Sequence, residues 1–176
     1  MPDRVEIELP PPRGMIQLRV DLSDHGVRAA ITEVIGLDVP VQRKRTAGPD
    51  MSLVWMSPDE LLVVCDHDSA EGTVARLKGA LGSFHHLCAN VSDARAIFTL
   101  TGPRWRDVLA KGMPIDFRDS AFGPGEVRRS RLGQVAAAIW IAGDNTAELV
   151  CFLSVAGFVE EWLKTASLEG SLPEFF

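Results

Sequence analysis

The chain has 176 residues, a formal net charge of −6 and 46% hydrophobic residues. A chain of this length can bury about 70% of the surface that its unfolded form exposes, so we expect one self-sufficient core. The acidic balance argues against nucleic acid as a partner, because that affinity depends on clustered lysine and arginine. The longest apolar run, Val135 to Ala142, is too short for a membrane-spanning helix, and the acidic amino terminus is unlike a signal peptide. We therefore expect a cytoplasmic protein with no membrane association.

The first half of the chain alternates predicted strands and helices. Residues 1–14 hold four prolines and predict an extended amino-terminal arm. Alternating apolar residues predict a strand over Met15 to Leu22. Ser23 and Asp24 are typical of a helix cap, and apolar residues at spacings of three and four predict a helix that ends at Gly36. A basic loop, a hairpin and a second helix over Ser69 to Leu81 complete this half.

The second half begins with a strand near Ala94, followed by a break at Gly102 and Pro103 that favours a helix start. That helix is expected to end at Lys111 and Gly112, since a cation and a glycine are common at helix ends. An insertion from Asp116 to Gly125 is rich in turn formers and is predicted to lie on the surface.

Two apolar segments close this half. Val135 to Ile141 is nearly unbroken in apolar character, which predicts a strand covered on both faces. A last helix is predicted from Ala156 to Ser167, with Phe158, Trp162 and Leu163 directed inward.

One supersecondary unit is written twice in the chain. Trp55 and Lys78 in the first half correspond to Trp140 and Lys164 in the second, at an offset of about 85 residues. A twofold repeat of this size predicts a domain of two similar halves, about 15–90 and 91–170, and not a solenoid. The predicted class is α+β: one domain over 15–176, an internal duplication of two β-α-β-β-α halves with mostly antiparallel sheets.

Histidine and cysteine residues raise two alternatives. His85, His86 and Cys88 could bind a metal, since His86 and Cys88 would share a strand face, and Cys88 could act as a nucleophile beside His86. No fourth ligand is indicated, so we interpret them as strand-edge histidines and a buried thiol. Cys65 and Cys151 also lie singly in apolar stretches and are predicted to be buried thiols.

Clustered arginines are the candidate interface residues. On an otherwise acidic protein, these guanidinium groups could meet an acidic patch of a partner, or could simply be solvated. The candidates are Arg128, Arg129, Arg131, Arg43 and Arg45. Asp93 and Arg95 could clamp a ligand, but a local ion pair is the simpler interpretation. The four tryptophans are expected to pack in the core, although an exposed one would be a natural contact residue.

Two segments carry a resemblance to a known family. The run from Asn90 to Pro103, continued from Arg106 to Asp116, resembles the gamma subunit of heterotetrameric sarcosine oxidase. Shorter supporting pieces are Met56 to Leu62, Ala121 to Gly125 and Glu161 to Leu163. The stretch from Val91 to Leu109 is also similar to the folate-binding domain of the glycine cleavage system aminomethyltransferase, whose two-part architecture matches the repeat.

The resemblance implies a subunit of a complex that oxidatively demethylates sarcosine to glycine. Such a complex releases hydrogen peroxide and passes the one-carbon unit to tetrahydrofolate or loses it as formaldehyde. FAD, FMN, NAD and tetrahydrofolate are expected in other subunits, with no cofactor, metal or catalytic residue in this chain. The expected partners are the alpha subunit directly, with beta and delta subunits in the complex. The alternative is a free-standing tetrahydrofolate-binding or one-carbon-transfer protein of the same fold, which needs an open pocket with a carboxylate facing the pterin.

Overall fold

A computed structural model describes residues 4–172, which form two compact units. We call Pro12–Asp93 the N-unit, and residues 4–11 together with 94–172 the C-unit. Each unit contains one five-stranded sheet in which every strand pairing is antiparallel. The ends of the predicted arm and of the predicted domain, 1–3 and 173–176, lie outside the described residues.

The helices and strands follow one another in a mixed order. In chain order they are β1 (Glu6–Glu8), β2 (Gly14–Val20), α1 (His25–Ile35), β3 (Arg45–Ala47), β4 (Ser52–Ser57), β5 (Glu60–Cys65), α2 (Ala70–Ala80), β6 (His86–Asn90), β7 (Arg95–Thr101), α3 (Trp105–Ala110), β8 (Val127–Leu132), β9 (Val135–Gly143), β10 (Thr146–Phe152) and α4 (Ala156–Ala166). The N-unit sheet has the order β3-β4-β5-β2-β6, and the C-unit sheet has the order β1-β7-β10-β9-β8.

Local sequence signals explain the N-unit elements. Ile16, Leu18 and Val20 alternate along β2 and are all buried, as the period-two pattern predicted. The Asp24 carboxylate caps α1 by accepting hydrogen bonds from two backbone N–H groups, at 2.7 and 3.2 Å. Gly36 ends α1 with φ +77°, a left-handed conformation that glycine adopts without strain. The predicted cap, helix and glycine stop are therefore confirmed.

The amino-terminal arm contributes a strand to the C-unit. Strand β1 pairs antiparallel with β7, with Glu6 opposite Thr101 and Glu8 opposite Thr99. Val5 is 4% exposed and belongs to the C-unit core, against which Ile7 also packs. The arm is extended as predicted over these residues, and its extension is that of an edge strand in a sheet.

The two sheets have the same strand order when β1 takes the place of β6. Read from the other edge, the C-unit order is β8-β9-β10-β7-β1, which corresponds position by position to β3-β4-β5-β2-β6. The helix pairs correspond as well, with α1 and α3 after the first strands and α2 and α4 after the hairpins. Trp55 and Trp140 therefore lie on equivalent strands, β4 and β9.

Helix α3 and strand β9 largely follow the sequence pattern. Helix α3 begins at Trp105, two residues after the predicted start at Pro103, and Trp105, Val108 and Leu109 are buried as expected. The middle of β9, residues 137–140, is buried on both faces, whereas Ala136 is exposed.

The structure corrects two predictions in the C-unit. The insertion does not lie wholly on the surface, because Phe117 and Phe122 are fully buried in the core. Phe158 is not directed inward but is 51% exposed. Helix α4 faces the core with Ala156, Val159 and Leu163, and residue 158 falls outside that stripe because successive helical residues turn by about 100°.

Among the described residues, none of the helices combines the length and the apolar character needed to cross a membrane.

Gly102 lies in close contact with the backbone of the amino-terminal arm. Its φ is +136°, and a Cβ there would lie 2.4 Å from the Arg4 carbonyl oxygen. We expect Gly102→Ala to lower the free energy of unfolding by about 2 kcal/mol or more, since the new Cβ disfavours this backbone conformation and clashes with the Arg4 backbone. Urea denaturation measures this.

Gly143→Ala is the matched control, because a Cβ at Gly143 meets nothing within 4 Å. We expect it to change stability by less than about 1 kcal/mol. Equal losses in the two variants would contradict a specific arm contact.

Candidate functional site

The insertion is held in the C-unit core by an aromatic cluster. Trp105, Phe117 and Phe122 pack edge to face, with ring centroids 5.9 to 6.2 Å apart. Edge-to-face pairs place the positive edge of one ring against the negative face of another, which adds to the burial of apolar area. This cluster explains why the two phenylalanines of the insertion leave the surface.

Arg106 secures the same insertion through its backbone. Its guanidinium donates to the carbonyl oxygens of Phe117, at 2.6 Å, and Phe122, at 3.0 Å. It also pairs with Asp119 at 2.8 Å and lies 4.5 Å from the centroid of the Trp105 ring. Burial lowers the pKa of Arg106, while Asp119 opposes that shift. The guanidinium therefore serves the packing of the insertion.

Arg128, one of the candidate interface residues, lies on β8 and also binds the insertion. It donates to the Ala121 carbonyl oxygen at 2.6 Å, pairs with Glu126 at 3.1 Å and lies over the Phe122 ring. Its side chain is only 22% exposed. The Arg128 guanidinium is therefore engaged with the insertion of its own chain, and its interface role stays a prediction.

Arg129 and Arg131 are exposed, as an interface role requires. They lie on one face of β8, which is an edge strand of the C-unit sheet, and Arg128 lies on the opposite face. Their neighbours across the ladder are Ala138 and Ala136 of β9. The structure thus brings two of the three clustered arginines together.

Arg43 and Arg45 belong to the N-unit and differ in exposure. Arg43 is exposed in the loop before β3, with φ +60°. Arg45 is half-buried on β3, opposite Val54 of β4. Of this pair, Arg43 is the more accessible to a partner.

His86 and Cys88 are held by contacts within the N-unit. His86 makes a 2.9 Å hydrogen bond through Nδ1 with the Phe84 carbonyl oxygen, while Cys88 is buried in the N-unit core. Within residues 4–172, no three His, Cys, Asp or Glu side chains gather in a way that could hold a metal ion. Burial raises the pKa of the Cys88 thiol, which disfavours the thiolate that a nucleophile needs.

The other two cysteines are also buried free thiols, as predicted. Burial raises the pKa of Cys65, and it raises the pKa of Cys151 to about 11. Both thiols are therefore protonated at neutral pH, where a protonated thiol is a poor nucleophile.

Asp93 and Arg95 each have another neighbour. The Asp93 carboxylate lies 4.0 Å from Nε2 of His67, and its side chain is fully exposed. The Arg95 guanidinium lies over the Phe152 ring, 4.9 Å from its centroid. Neither contact has the form of a ligand clamp, and the Arg95 contact places a cation beside an exposed ring.

Three buried carboxylates lie within the described residues, and each accepts a hydrogen bond from its own unit. Glu60 accepts from Gln17 at 3.0 Å, Asp107 from Arg104 at 2.5 Å and Glu148 from the Trp140 indole N–H at 2.5 Å. Buried polar groups with such partners are part of the packing.

Exposed apolar side chains form the feature that the sequence pattern missed. Phe152, Leu153 and Phe158 are each about half exposed, at 48%, 50% and 51%. They lie within seven residues, around the short 3₁₀ turn that joins β10 to α4. We call this feature the β10-α4 corner.

The internal repeat carried the signal for the corner. Leu77 of α2 aligns with Leu163 of α4, and both are fully buried. In the same alignment Phe158 corresponds to Gly72, so an aromatic side chain occurs on one helix only. The repeat therefore shows that the fold shared by the two halves does not require an aromatic residue at position 158.

The fold matches two solved structures. A chain of the heterotetrameric sarcosine oxidase from Corynebacterium sp. U-96, in complex with pyrrole 2-carboxylate, has a TM-score of 0.89 at 24% identity and aligns over 100% of this chain and 90% of that chain. Aminomethyltransferase T of the glycine cleavage system from Bartonella henselae has a TM-score of 0.67 at 14% identity, over 91% of this chain and 45% of its own. The chain therefore has the mixed fold with two antiparallel sheets that is found in aminomethyltransferases.

Sequence comparisons identify the family to which this chain belongs. Residues 19–169 match the model of the sarcosine oxidase, gamma subunit family. Curated sarcosine oxidase gamma subunits from Arthrobacter sp. and Corynebacterium sp. (strain P-1) are 26% and 29% identical, over 82% and 80% of this chain and 71% and 70% of their own lengths. This chain belongs to the sarcosine oxidase gamma subunit family, as its sequence pattern indicated.

Arg106 should carry the stability of the insertion. We expect Arg106→Met to lower the free energy of unfolding by about 2 to 4 kcal/mol, since two buried carbonyl groups lose a charged donor. Urea denaturation followed by tryptophan fluorescence measures this, because Trp105 lies under the guanidinium.

Arg118→Met is the control for this variant. The Arg118 side chain is 69% exposed and pairs with Asp116. We expect a loss below about 1 kcal/mol, which is usual for an exposed ion pair. Similar losses in the two variants would show that Arg106 is not a special anchor.

Proposed function

We propose that this chain is the gamma subunit of a heterotetrameric sarcosine oxidase and that it has no catalytic residue of its own. The match of residues 19–169 to the gamma subunit family carries the proposal. The complex would oxidise sarcosine to glycine and release hydrogen peroxide. The one-carbon unit would pass to tetrahydrofolate or leave as formaldehyde.

The chemistry of this chain's polar residues supports a noncatalytic role. The buried carboxylates Glu60, Asp107 and Glu148 are hydrogen-bonded to side chains of their own units. The three thiols are buried with raised pKa values. FAD, FMN, NAD and tetrahydrofolate would therefore lie in the other subunits of the complex.

The role that follows is to stabilise and position a large flavoprotein subunit. The direct partner would be the alpha subunit, with beta and delta subunits in the same assembly. The corresponding strand orders of the two sheets support an origin by internal duplication, within one domain of two halves. A cytoplasmic location stays a prediction from composition.

Exposed arginines supply one part of the proposed docking surface. Arg129 and Arg131 project from one face of β8 on a chain with a net charge of −6. Arg43 is exposed on the N-unit, and Arg45 is the less accessible candidate. A partner with acidic groups opposite these arginines would gain association rate and orientation.

Reconstitution tests the proposed function. When the chain is co-expressed with its alpha, beta and delta subunits, we expect it to co-purify in a fixed ratio. We expect the complex without this chain to lose cofactor content or thermal stability. Sarcosine-dependent hydrogen peroxide production and the melting temperature measure the effect.

Titration of the isolated chain with tetrahydrofolate distinguishes the proposed function from the alternative, a free-standing folate-binding protein. Saturable binding together with failure to co-purify would favour a free-standing folate protein. Peroxide production from sarcosine by the chain alone would also contradict the proposal.

Charge reversal tests the arginine surface. We expect the double variant Arg129→Glu with Arg131→Glu to weaken the complex about tenfold at low ionic strength, with a smaller effect as salt is added. Sedimentation or surface-binding titrations at two salt concentrations measure this.

Lys78→Glu, at an exposed position of α2, changes the net charge without touching β8. Equal weakening by Lys78→Glu would attribute the effect to net charge and not to these two arginines.

A further inference from the structure

We propose that the turn between α1 and β3 inserts the Arg43 side chain into an acidic recess of a partner subunit. Val41, Gln42 and Arg43 are the exposed residues of this turn, and we call them the α1-β3 tip. The inference rests on the proposed function, in which the partner is the alpha subunit. That subunit would present a carboxylate to the guanidinium and an apolar surface to Val41.

The first support is the backbone of Arg43, whose conformation is uncommon for arginine. Its φ is +60°, in the left-handed region where a Cβ is strained. Within residues 4–172, the other non-glycine residue with a positive φ is Asn145, at +54°, and asparagine is enriched in this conformation. Glycine would remove the strain at position 43. Strained residues are concentrated at functional sites, so the retained arginine points to a role for its side chain.

The second support is that the Arg43 side chain serves no contact of its own chain. It is exposed, and among residues 4–172 it makes no hydrogen bond, ion pair or ring contact. Arg28 and Arg106, by contrast, donate to backbone carbonyl groups. Lys44 and Arg45 are half-buried and are not part of the tip. The Arg43 guanidinium is therefore available to a carboxylate, which it can bind through two parallel hydrogen bonds.

The base of the turn is fixed, which holds the tip in one position. The Lys44 N–H donates to the Val41 carbonyl oxygen at 3.1 Å and closes the turn. Arg28 donates to the Val39 carbonyl oxygen at 2.8 Å. Val39 and Pro40, which lead into the tip, are both buried. A preformed loop loses little conformational entropy when it binds, so more of the contact energy appears as affinity.

Val41 adds an apolar contact two residues from the charge. It is 66% exposed, more than any other large apolar side chain of residues 4–172. In the C-unit, the connection at the same place between α3 and β8 is the insertion, which buries Phe117 and Phe122 in its own core. The N-unit connection instead presents its apolar residue to solvent. A partner that covers Val41 would also remove water from the neighbouring ion pair, which strengthens it.

Charge decides which kind of partner fits the tip. The chain has a net charge of −6, so two copies repel each other over most of their surface. An ion pair that is withdrawn from water contributes only when its geometry is good, and a rigid turn supplies one fixed half of that geometry. We therefore commit to a different protein, the alpha subunit, which holds the other half as a fixed carboxylate.

The test separates charge from backbone strain at one position. Arg43→Gly removes both, whereas Arg43→Gln removes the charge and keeps the strain. Each variant is co-expressed with the alpha, beta and delta subunits, and dissociation of the purified complex on dilution gives the dissociation constant. We expect both variants to raise it about tenfold, with a smaller effect as salt is added.

Thermal melting of the full chain gives the second measurement. We expect Arg43→Gly to melt at or above the wild-type temperature, because glycine adopts a φ of +60° without strain. Arg43→Gln should melt near the wild-type temperature. A lower melting temperature for both variants would show that Arg43 stabilises its own chain, which contradicts the inference.

Asn145→Gly is the matched control, since it places glycine at the other positive-φ position, in the turn between β9 and β10. We expect its dissociation constant to stay within about twofold of wild type. Val41→Ser tests the apolar contact and is expected to raise the dissociation constant at least about threefold, with little dependence on salt.

The outcomes separate this inference from the proposed function. Wild-type affinity in either Arg43 variant would overturn the inference and leave the gamma subunit role intact. Equal weakening by Asn145→Gly would also overturn it, since turn mobility would then explain the loss. A wild-type homodimer that Arg43→Gln dissociates would assign the tip to a second copy of this chain, and the inference would be wrong. Failure of the wild-type chain to bind the other subunits would overturn both proposals.

Discussion

Each unit depends on a central strand that needs hydrogen-bonded neighbours along both edges and packed side chains on both faces. Strand β5 is third of five in the N-unit sheet, and all six of its residues are buried. Strand β10 has the same position in the C-unit sheet and is buried at five of seven residues. Because buried backbone N–H and C=O groups need partners, each central strand requires a neighbour along either edge. Strand β7 is one such neighbour of β10, and the arm strand β1 pairs with the other edge of β7.

The same requirement explains how the chain uses its arginines. The insertion has backbone carbonyl groups that belong to no strand or helix. Arg106 and Arg128 donate hydrogen bonds to three of them, at Phe117, Ala121 and Phe122. The arginines that are clustered in the sequence therefore differ in exposure: Arg128 is 22% exposed, whereas Arg129 and Arg131 are exposed.

A subunit of a complex contacts its partners through its exposed surface. In this chain Arg129 and Arg131 are exposed on β8, and Phe152, Leu153 and Phe158 are each about half exposed. Charged groups at the rim favour encounter and orientation, whereas a desolvated aromatic centre supplies most of the binding free energy. The chain belongs to the sarcosine oxidase gamma subunit family, its buried carboxylates accept hydrogen bonds from their own units, and its thiols are buried.

Local signals in the sequence were sufficient where one residue acts on its own backbone or its own stripe. Asp24 and Gly36 could be assigned because a cap and a left-handed stop depend on few neighbours, and the family resemblance followed from a contiguous run. Phe158 could not be placed, because helical phase relative to the core is decided by how the whole helix packs. The pairing of β1 with β7 joins segments about 90 residues apart, and the side of β8 that holds Arg128 depends on an insertion folding back over it. Sequence alone determined most of the element types and the family, since these follow from contiguous runs of residues. Only the tertiary structure decided which side chains are exposed, because exposure depends on contacts between distant segments.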